Sequence, residues 1–157
     1  MGIEADAAKH LDNYASSILL GSDGSTLEAA KAILDCYLPG FTAFTMGDRA
    51  QFNSPSDDLK GIDSYLQIWV KHGIGLDMRV QSHRIEPVSP FSALCWATWE
   101  VFPKDGTKGW TWENCYGYRK GEKEEGWELV IADNETLCLS QNRPDLVPDL
   151  QKLGAKD

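Results

Sequence analysis

The sequence lacks the features that direct a protein to a membrane or to nucleic acid. No stretch approaches the ~18 apolar residues that a helix needs to span a bilayer. Residues 1–9 are acidic and alanine-rich, whereas a secretory signal has basic residues followed by an apolar segment. No run of lysine or arginine interrupts a net charge of -9, and such a charge repels phosphate groups. We therefore expect a cytoplasmic protein with no membrane and no nucleic acid among its partners.

Motifs for metals and cofactors are also missing. The four cysteines lie far apart, and neither Cys-x-x-Cys nor His-x-x-x-His spacing suggests a zinc site. The sequence has no phosphate-binding glycine loop, no dinucleotide fingerprint and no recognisable serine-histidine-aspartate order. We expect no metal and no cofactor. We expect the cysteines to be reduced core residues: Cys36, Cys95, Cys115 and Cys138.

The composition is that of one folded domain. Of the 157 residues, 42% are apolar and 25% are charged, which is ordinary for a globular protein. A chain of this length can bury a sizeable core as one unit. We predict a single domain over residues 1–157, with a core at about 4–138 and a tail at 139–157.

Three segments have the apolar spacing of helices with one buried face. They are residues 4–20, residues 25–37 with Tyr37 on the apolar stripe, and residues 61–71. From residue 76 the period changes to two, which is typical of strands. Four such runs are separated by turn sequences: 76–88, 90–102, 108–120 and 126–138. Because strands this long pack by curling, the predicted fold is α+β, with N-terminal helices packed on a strongly curved antiparallel β-sheet.

The order of these elements and three local motifs resemble the nuclear transport factor 2-like superfamily. The motifs are Gly47-Asp48-Arg49-Ala50-Gln51-Phe52 before Pro55, Gly61-Ile62-Asp63-Ser64-Tyr65, and Gly126-Trp127-Glu128-Leu129. The superfamily includes ketosteroid isomerase, scytalone dehydratase and the SnoaL-like cyclases. The resemblance covers nearly the whole chain and implies a cystatin-like cone. It implies less about function, because this scaffold hosts many unrelated activities.

The nearest local likeness is to scytalone dehydratase, in the run that begins at Asn114. It implies that Asn114 is a hydrogen-bonding residue facing the pocket and that Asp23 lies near that enzyme's helical-hairpin aspartate. Met78 and Pro103 fall near the positions of its two catalytic histidines, which have no counterparts here. Ser54 stands near the catalytic aspartate of ketosteroid isomerase. Neither mechanism carries over intact.

Aromatic residues dominate one parity of the third long strand. This parity contains Trp110, Trp112, Asn114, Tyr116 and Tyr118, which therefore share one face of the sheet, expected to be concave. On the neighbouring strand, an outward Glu100 favours an inward Trp99. The predicted ligand-binding residues are Trp99, Trp112, Tyr116, Met78 and Tyr65. The alternative, roughly twice as common for aromatic residues in a curved sheet, is that they form a core or a dimer interface.

Two further residues could move a proton. His83 lies mid-strand and could act as a relay near neutral pH. The alternative is a surface histidine paired with Glu86, because its parity is polar. Asp133 follows an apolar run and would have a raised pKa if it faced inward. The alternative is that Asp133 and Asn134 form a turn.

These residues favour an enzyme that acts without a cofactor on a small, largely apolar metabolite of polyketide or terpenoid type. Isomerisation, cyclisation and dehydration all remain open, with Asn114 polarising a carbonyl group and His83 or Asp133 moving the proton. The alternative is a non-catalytic module that binds a small ligand or a partner chain. We also expect a homodimer through the outer sheet face, where Leu94 and Trp96 lie.

Overall fold

The computed structural model describes residues 2–154 as five α-helices, one 3-10 turn and six β-strands. The helices are α1 (Ile3–Leu19), α2 (Thr26–Asp35), α3 (Pro55–Lys71), α4 (Asp133–Asn142) and α5 (Val147–Gly154), and the 3-10 turn is Pro144–Leu146. The strands are β1 (Tyr37–Thr45), β2 (Asp48–Gln51), β3 (Met78–Ser89), β4 (Ser92–Val101), β5 (Thr111–Lys120) and β6 (Glu125–Ile131). The predicted α+β class is confirmed.

All six strands form one sheet in the order β2-β1-β6-β5-β4-β3. Strands β3 to β6 pair antiparallel with their sequence neighbours, as the predicted meander requires. Strand β1 instead runs parallel to β6, so the sheet is mixed. This pairing puts the β1–β2 hairpin beside β6 and brings Tyr37 opposite Trp127.

The helices bury their apolar stripes against the inner face of the sheet. On α1 the stripe is buried, as its spacing predicts: Ala7, Leu11, Tyr14 and Ile18. On α3, Leu66 and Trp69 are buried in the same core. Burial of a large apolar side chain stabilises the fold by about 1.5–3 kcal/mol, so these stripes hold the helices on the sheet.

Strand β4 alternates between buried and half-buried residues along its whole length. Ala97 and Trp99 are buried, while Trp96 and Glu100 are only half-buried. Trp99 pairs with Trp112 on β5, and directly paired residues project from the same face of a sheet. Trp99 and the aromatic parity of β5 therefore share the inner face, as expected.

Two helix boundaries differ from the prediction. α3 begins at Pro55, six residues before the expected start, because proline is well suited to the first turn of a helix. The carboxylates of Asp57 and Asp58 lie in this turn, where they interact favourably with the helix dipole. α2 ends at Asp35, so Tyr37 begins β1 and is not on a helical stripe.

The last strand is shorter than expected and the tail is more helical. β6 ends at Ile131, and residues 133–142 form α4 where the alternating pattern suggested a continuing strand. The 3-10 turn and α5 follow within the predicted tail. Leu139 and Leu146 are fully buried in the same core, so the core extends past residue 138.

His10 of α1 is one of the few buried polar residues within residues 2–154. Its Nε2 lies 2.9 Å from the carbonyl oxygen of Cys36. Its ring centroid is 4.6 Å from that of Trp127, in an edge-to-face arrangement. Burial lowers the pKa of His10, although the hydrogen bond to Cys36 partly opposes this shift.

Candidate functional site

The interior between the helices and the sheet is filled by the protein's own aromatic rings. Tyr14 of α1 lies at the centre, with ring centroids 5.3 Å from Tyr116, 5.9 Å from Trp99 and 5.9 Å from Trp127. Tyr116 also packs on Trp127 at 4.9 Å. These separations are those of direct aromatic contacts. The centre of the protein is therefore a packed aromatic cluster.

A chain of hydrogen bonds runs through this cluster to a carboxylate. The indole N–H of Trp99 donates to the hydroxyl oxygen of Tyr116 at 3.1 Å. The side-chain amide of Asn114 donates to the same oxygen at 3.2 Å and to Oε1 of Glu135 at 2.9 Å. The hydroxyl of Tyr65 donates to Oε2 of Glu135 at 2.6 Å. Both oxygens of Glu135 are thus held by donors that the fold positions.

Four tyrosine hydroxyls surround this carboxylate closely enough to respond to its charge. Burial raises the pKa of Tyr14, Tyr37, Tyr65 and Tyr116, and the negative charge of Glu135 raises each further. The hydroxyls of Tyr14 and Tyr37 lie 3.0 Å apart. All four phenols are therefore neutral at physiological pH and can act as hydrogen-bond donors.

Glu135 reaches the interior because the first turn of α4 is anchored at two points. The Asp133 carboxylate accepts a hydrogen bond from the backbone N–H of Met46, next to the end of β1. The side-chain amide of Asn134 donates to the backbone oxygen of Glu113 on β5 at 3.3 Å. Glu135 then points between β5 and α3. Sequence analysis missed this residue; the available signal was the run Asp133-Asn134-Glu135, which is typical of a helix start.

Several buried polar groups of the interior have no hydrogen-bond partner within residues 2–154, and the side-chain oxygen of Asn114 is one of them. Asn114 is only 2% exposed, yet its Oδ1 has no hydrogen-bond partner within residues 2–154. The indole N–H of the buried Trp112 is likewise unpaired within that range. An unpaired buried polar atom costs roughly 1–3 kcal/mol. The centre of the site therefore has capacity for further hydrogen bonds.

The structure brings together six of the eight residues named from sequence. Asn114, Tyr116, Trp99 and Tyr65 belong to the hydrogen-bonded chain. Trp112 lies near Trp69, with ring centroids 6.1 Å apart and ring planes tilted by 45°. Met78 is buried at the start of β3, opposite Val101, and packs in the same core.

His83 and Asp133 lie outside this interior. His83 pairs with Ala97 and so is on the inner side of the sheet, but β3 is the edge strand and leaves the imidazole exposed. It lines an open groove beside Ala5 and Ala8 of α1. Asp133 is the first residue of α4, so it lies neither on a strand nor in a turn, and its carboxylate accepts a hydrogen bond from the backbone N–H of Met46. Glu135, two residues later, is the carboxylate that faces inward.

A pocket of about 280 Å³ lies beside the aromatic cluster, between the end of α2, β1 and the start of α3. Its wall is a ladder of rings: Tyr37 packs on Phe41 at 4.2 Å, and Phe41 stacks on Phe52 at 4.3 Å. Tyr37 belongs to both the pocket and the cluster, because its hydroxyl meets that of Tyr14. The Tyr37 side chain thus connects the pocket lining with the tyrosine hydroxyls. The volume of the pocket is near the lower limit for small-molecule sites.

Two classes of site find no support in residues 2–154. This range contains no group of three or more histidine, cysteine or acidic side chains arranged to hold a metal ion. None of its helices is both long and apolar enough to cross a bilayer.

Comparison with known proteins gives matches at the level of structure. No protein-family model matches the sequence, and no curated protein matches it. An NTF-2 like protein of unknown function from Shewanella oneidensis is 11% identical, with a TM-score of 0.60 over 81% of this chain and 95% of that one.

Two similar structures bear the names of enzymes. A candidate scytalone dehydratase from Novosphingobium aromaticivorans is 7% identical, with a TM-score of 0.56 over 80% of this chain and 78% of that one. A type 2 hexachlorocyclohexane dehydrochlorinase is 10% identical, with a TM-score of 0.54 over 81% of this chain and 84% of that one. At such identities a likeness establishes the fold alone. The chain has the nuclear transport factor 2-like, cystatin-like fold.

Proposed function

We propose that this protein is a cofactor-independent enzyme that moves a proton on a small, largely apolar metabolite, in an isomerisation, a cyclisation or a dehydration. The observation that carries the proposal is the Glu135 carboxylate, held by Tyr65 and Asn114 among neutral tyrosine hydroxyls. A carboxylate in such a setting can take up a proton, and neutral phenols can stabilise a negative oxygen.

The reaction follows from this arrangement. The substrate occupies the pocket beside Tyr37, with a carbonyl oxygen toward the tyrosine hydroxyls. Glu135 removes a proton from the carbon next to the carbonyl, and the electron pair moves to the carbonyl oxygen. Donors such as Tyr37 and Tyr14 stabilise the resulting oxyanion. Return of the proton from Glu135 to a different carbon completes an isomerisation. In a dehydration, a hydroxyl group on the next carbon takes up the proton from Glu135 and leaves as water, while the enolate electrons form a carbon–carbon double bond.

The names of two similar structures support this class of chemistry. One is a candidate dehydratase and the other a dehydrochlorinase, and both eliminations need a proton to be removed. Asn114, which we expected to polarise a carbonyl group, is instead proposed to orient Glu135. Trp99, Trp112 and Tyr116 do not line the pocket and are proposed to pack behind the tyrosine hydroxyls, where they fix the position of Asn114 and Glu135.

The proposal is tested by the exchange of carbon-bound protons with D2O. β-Tetralone is a small aromatic ketone with acidic C–H bonds, and NMR follows the replacement of these protons by deuterium. Catalysis by a general base typically contributes 10²–10⁴-fold. We therefore expect Glu135→Gln, which preserves the shape of the side chain, to lower the exchange rate at least ~100-fold.

Glu113→Gln is the matched control, because Glu113 is an exposed glutamate on the neighbouring strand β5. It should exchange the ketone at the rate of the unmodified protein. Equal rates for Glu135→Gln and the unmodified protein would eliminate Glu135 as the base.

A non-catalytic binding module is the second candidate, because the aromatic cluster fills the interior that a substrate would otherwise occupy. On this proposal the pocket beside Tyr37 holds a ligand that never reaches Glu135. Saturable binding of the ketone with no exchange above the protein-free rate would favour the module over the enzyme.

We also propose a homodimer that forms through the outer face of the sheet. Trp96 and Leu94 lie on this face half-buried, and Arg84 stacks over the Trp96 ring at 5.0 Å. A second copy would cover these side chains. Sedimentation at tens of micromolar tests this, and a strictly monomeric species would contradict it.

The proposed cytoplasmic location is supported by the free thiols within residues 2–154.

A further inference from the structure

Strand β3 forms one edge of the sheet and has a long free side. It runs for 12 residues, and within residues 2–154 it pairs only with β4. The strand at the opposite edge, β2, has only 4 residues. A long exposed edge strand favours pairing with another strand. We propose that two copies of this protein pair antiparallel through β3, about a two-fold axis at His83, so that their sheets become continuous.

The surroundings of β3 leave this edge accessible. Its residues are largely exposed, including His83, whose inward parity would bury it on a central strand. An open groove lies between His83 and Ile85 of β3 and the first part of α1, where the helix contributes the small side chains of Ala5 and Ala8. The groove leaves room for the side chains that a second strand would place on the inner side of the sheet.

On the inner side of β3, the proposed axis brings apolar residues together. Val80, His83 and Ile85 have inward parity, because their partners on β4 are buried. A bulge between Val80 and Ser82 is part of β3 and is therefore present in both copies. With the axis at His83, this residue lies opposite His83 of the second copy, and Val80 lies opposite Ile85 of the second copy. Apolar cross-strand pairs of this kind stabilise a sheet.

On the outer side, the same axis matches opposite charges. Arg79 and Glu86 have outward parity, and each Arg79 lies opposite Glu86 of the other copy, twice by symmetry. Opposite charges stabilise a cross-strand pair and like charges destabilise it. An axis one residue earlier would put Arg79 opposite Arg84, and an axis one residue later would put Arg84 opposite itself. The charges therefore favour His83 over both neighbouring positions.

Two further features of β3 bear on the register. An axis at Ile85 would also avoid like charges, but it would pair fewer residues and leave Arg79 beyond the end of the second strand. Pro87 has no backbone N–H, and a proline commonly protects an edge strand from pairing. With the axis at His83, Pro87 lies opposite Met78, at the end of the paired stretch, so the residues between them remain free to pair.

Oxidative cross-linking tests the position of the axis. Only a residue on a two-fold axis faces itself, and directly opposed Cβ atoms lie about 4.5–5.5 Å apart, close to disulfide geometry. We expect His83→Cys to give at least ~10-fold more covalent dimer under mild oxidation than Val88→Cys, measured by non-reducing denaturing electrophoresis. Val88 is the matched control, because it is exposed on the same strand but lies far from the axis. Three of the four native cysteines are buried, so the unmodified protein should give little product.

Charge exchange tests the register in the His83→Cys protein. Arg79→Glu and Glu86→Lys each place like charges opposite one another at both pairs. Each change alone should therefore lower the yield of covalent dimer about 10-fold. An equimolar mixture of the two variants should recover the yield, because each mixed pair again has opposite charges. Asp48→Lys, at an exposed position on β2, is the control and should leave the yield unchanged.

The outcomes separate this contact from the one proposed through the outer face. His83 has inward parity, so a contact through the outer face cannot bring two copies of it together. Equal yields for His83→Cys and Val88→Cys would refute pairing through β3. Cross-linking of Ile85→Cys without cross-linking of His83→Cys would show that the axis is wrong. A mixture of the charge variants that cross-links no better than either alone would contradict the matched charges.

Discussion

Glu135 ties the C-terminal helix α4 to the sheet and to α3, and removing its side chain should measurably weaken this attachment. Glu135→Ala deletes the acceptor of two hydrogen bonds, one from Tyr65 at 2.6 Å and one from Asn114 at 2.9 Å. A hydrogen bond to a charged group contributes about 1.5–3 kcal/mol. Tyr65 is only half-buried, so water can partly replace its lost partner. We expect the free energy of unfolding to fall by about 2–4 kcal/mol.

The assay is thermal and urea unfolding of a double-mutant cycle. For a chain of this size, 1 kcal/mol corresponds to about 2–4 °C in Tm, so Glu135→Ala should lower Tm by about 5–15 °C. Tyr65→Phe removes one hydrogen-bond donor and should lower the free energy of unfolding by about 1–2 kcal/mol. Because both changes break the same bond, the double variant should lose about 1–2 kcal/mol less than the sum of the single variants.

The cycle has a matched control and a clear refutation. Glu113→Ala combined with Tyr65→Phe should be additive within ~0.5 kcal/mol, because Glu113 is exposed and the Tyr65 hydroxyl donates to Glu135 instead. If Glu135→Ala and Tyr65→Phe are additive to the same precision, the bond between them is absent in solution. The proposed anchoring of the carboxylate would then be wrong.

Three further results are expected. Burial lowers the pKa of His10, so the unfolded chain binds more protons than the folded one below about pH 6.5. The free energy of unfolding, measured with urea, should therefore fall as the pH drops from 7 to 5. His10→Gln should flatten this dependence on pH. Trp112→Ala should lower the free energy of unfolding by about 3–5 kcal/mol, because it removes packing from the core. Asn114→Ala should lower the free energy of unfolding by less, about 1–3 kcal/mol, yet it should abolish proton exchange. A larger loss of Tm for Asn114→Ala than for Trp112→Ala would make Asn114 a mainly structural residue. All four cysteines should react as free thiols in denaturant after purification without reductant, and a count below four would reveal a disulfide bond.

The regular elements could be predicted because the spacing of apolar residues along each helix or strand indicates which of its faces is buried. The period of two on β4 and β5 places Trp99 and Trp112 on one face, and the structure confirms that face as the buried one. The spacing on α1 likewise predicts the burial of Leu11 and Tyr14. These patterns are local, and they remain valid however the strands are arranged in the sheet.

The long-range features could not be predicted in the same way. Nothing local in β1 indicates that it lies parallel to β6. His83 has an inward parity, yet β3 is the edge strand and exposes it; only the position of the strand in the sheet decides this. The acidic run at Asp133 is typical of both turns and helix starts, and the contact of Asp133 with the distant Met46 anchors the helix. The carboxylate that faces the interior is therefore that of Glu135, two residues after the predicted Asp133.

Tyr37 is the residue on which the catalytic and the binding proposals diverge. Its ring forms part of the pocket wall, and its hydroxyl meets Tyr14 inside the cluster at 3.0 Å. A ligand that stops at this ring stays in a pocket of about 280 Å³, whose lining is apolar except for Asp35, Asn53, Asp58 and the Tyr37 hydroxyl. A substrate whose carbonyl group displaces the Tyr14 hydroxyl from Tyr37 instead gains two phenol donors beside the charge of Glu135. Catalysis therefore requires exchange of one buried hydrogen bond, whereas binding requires none.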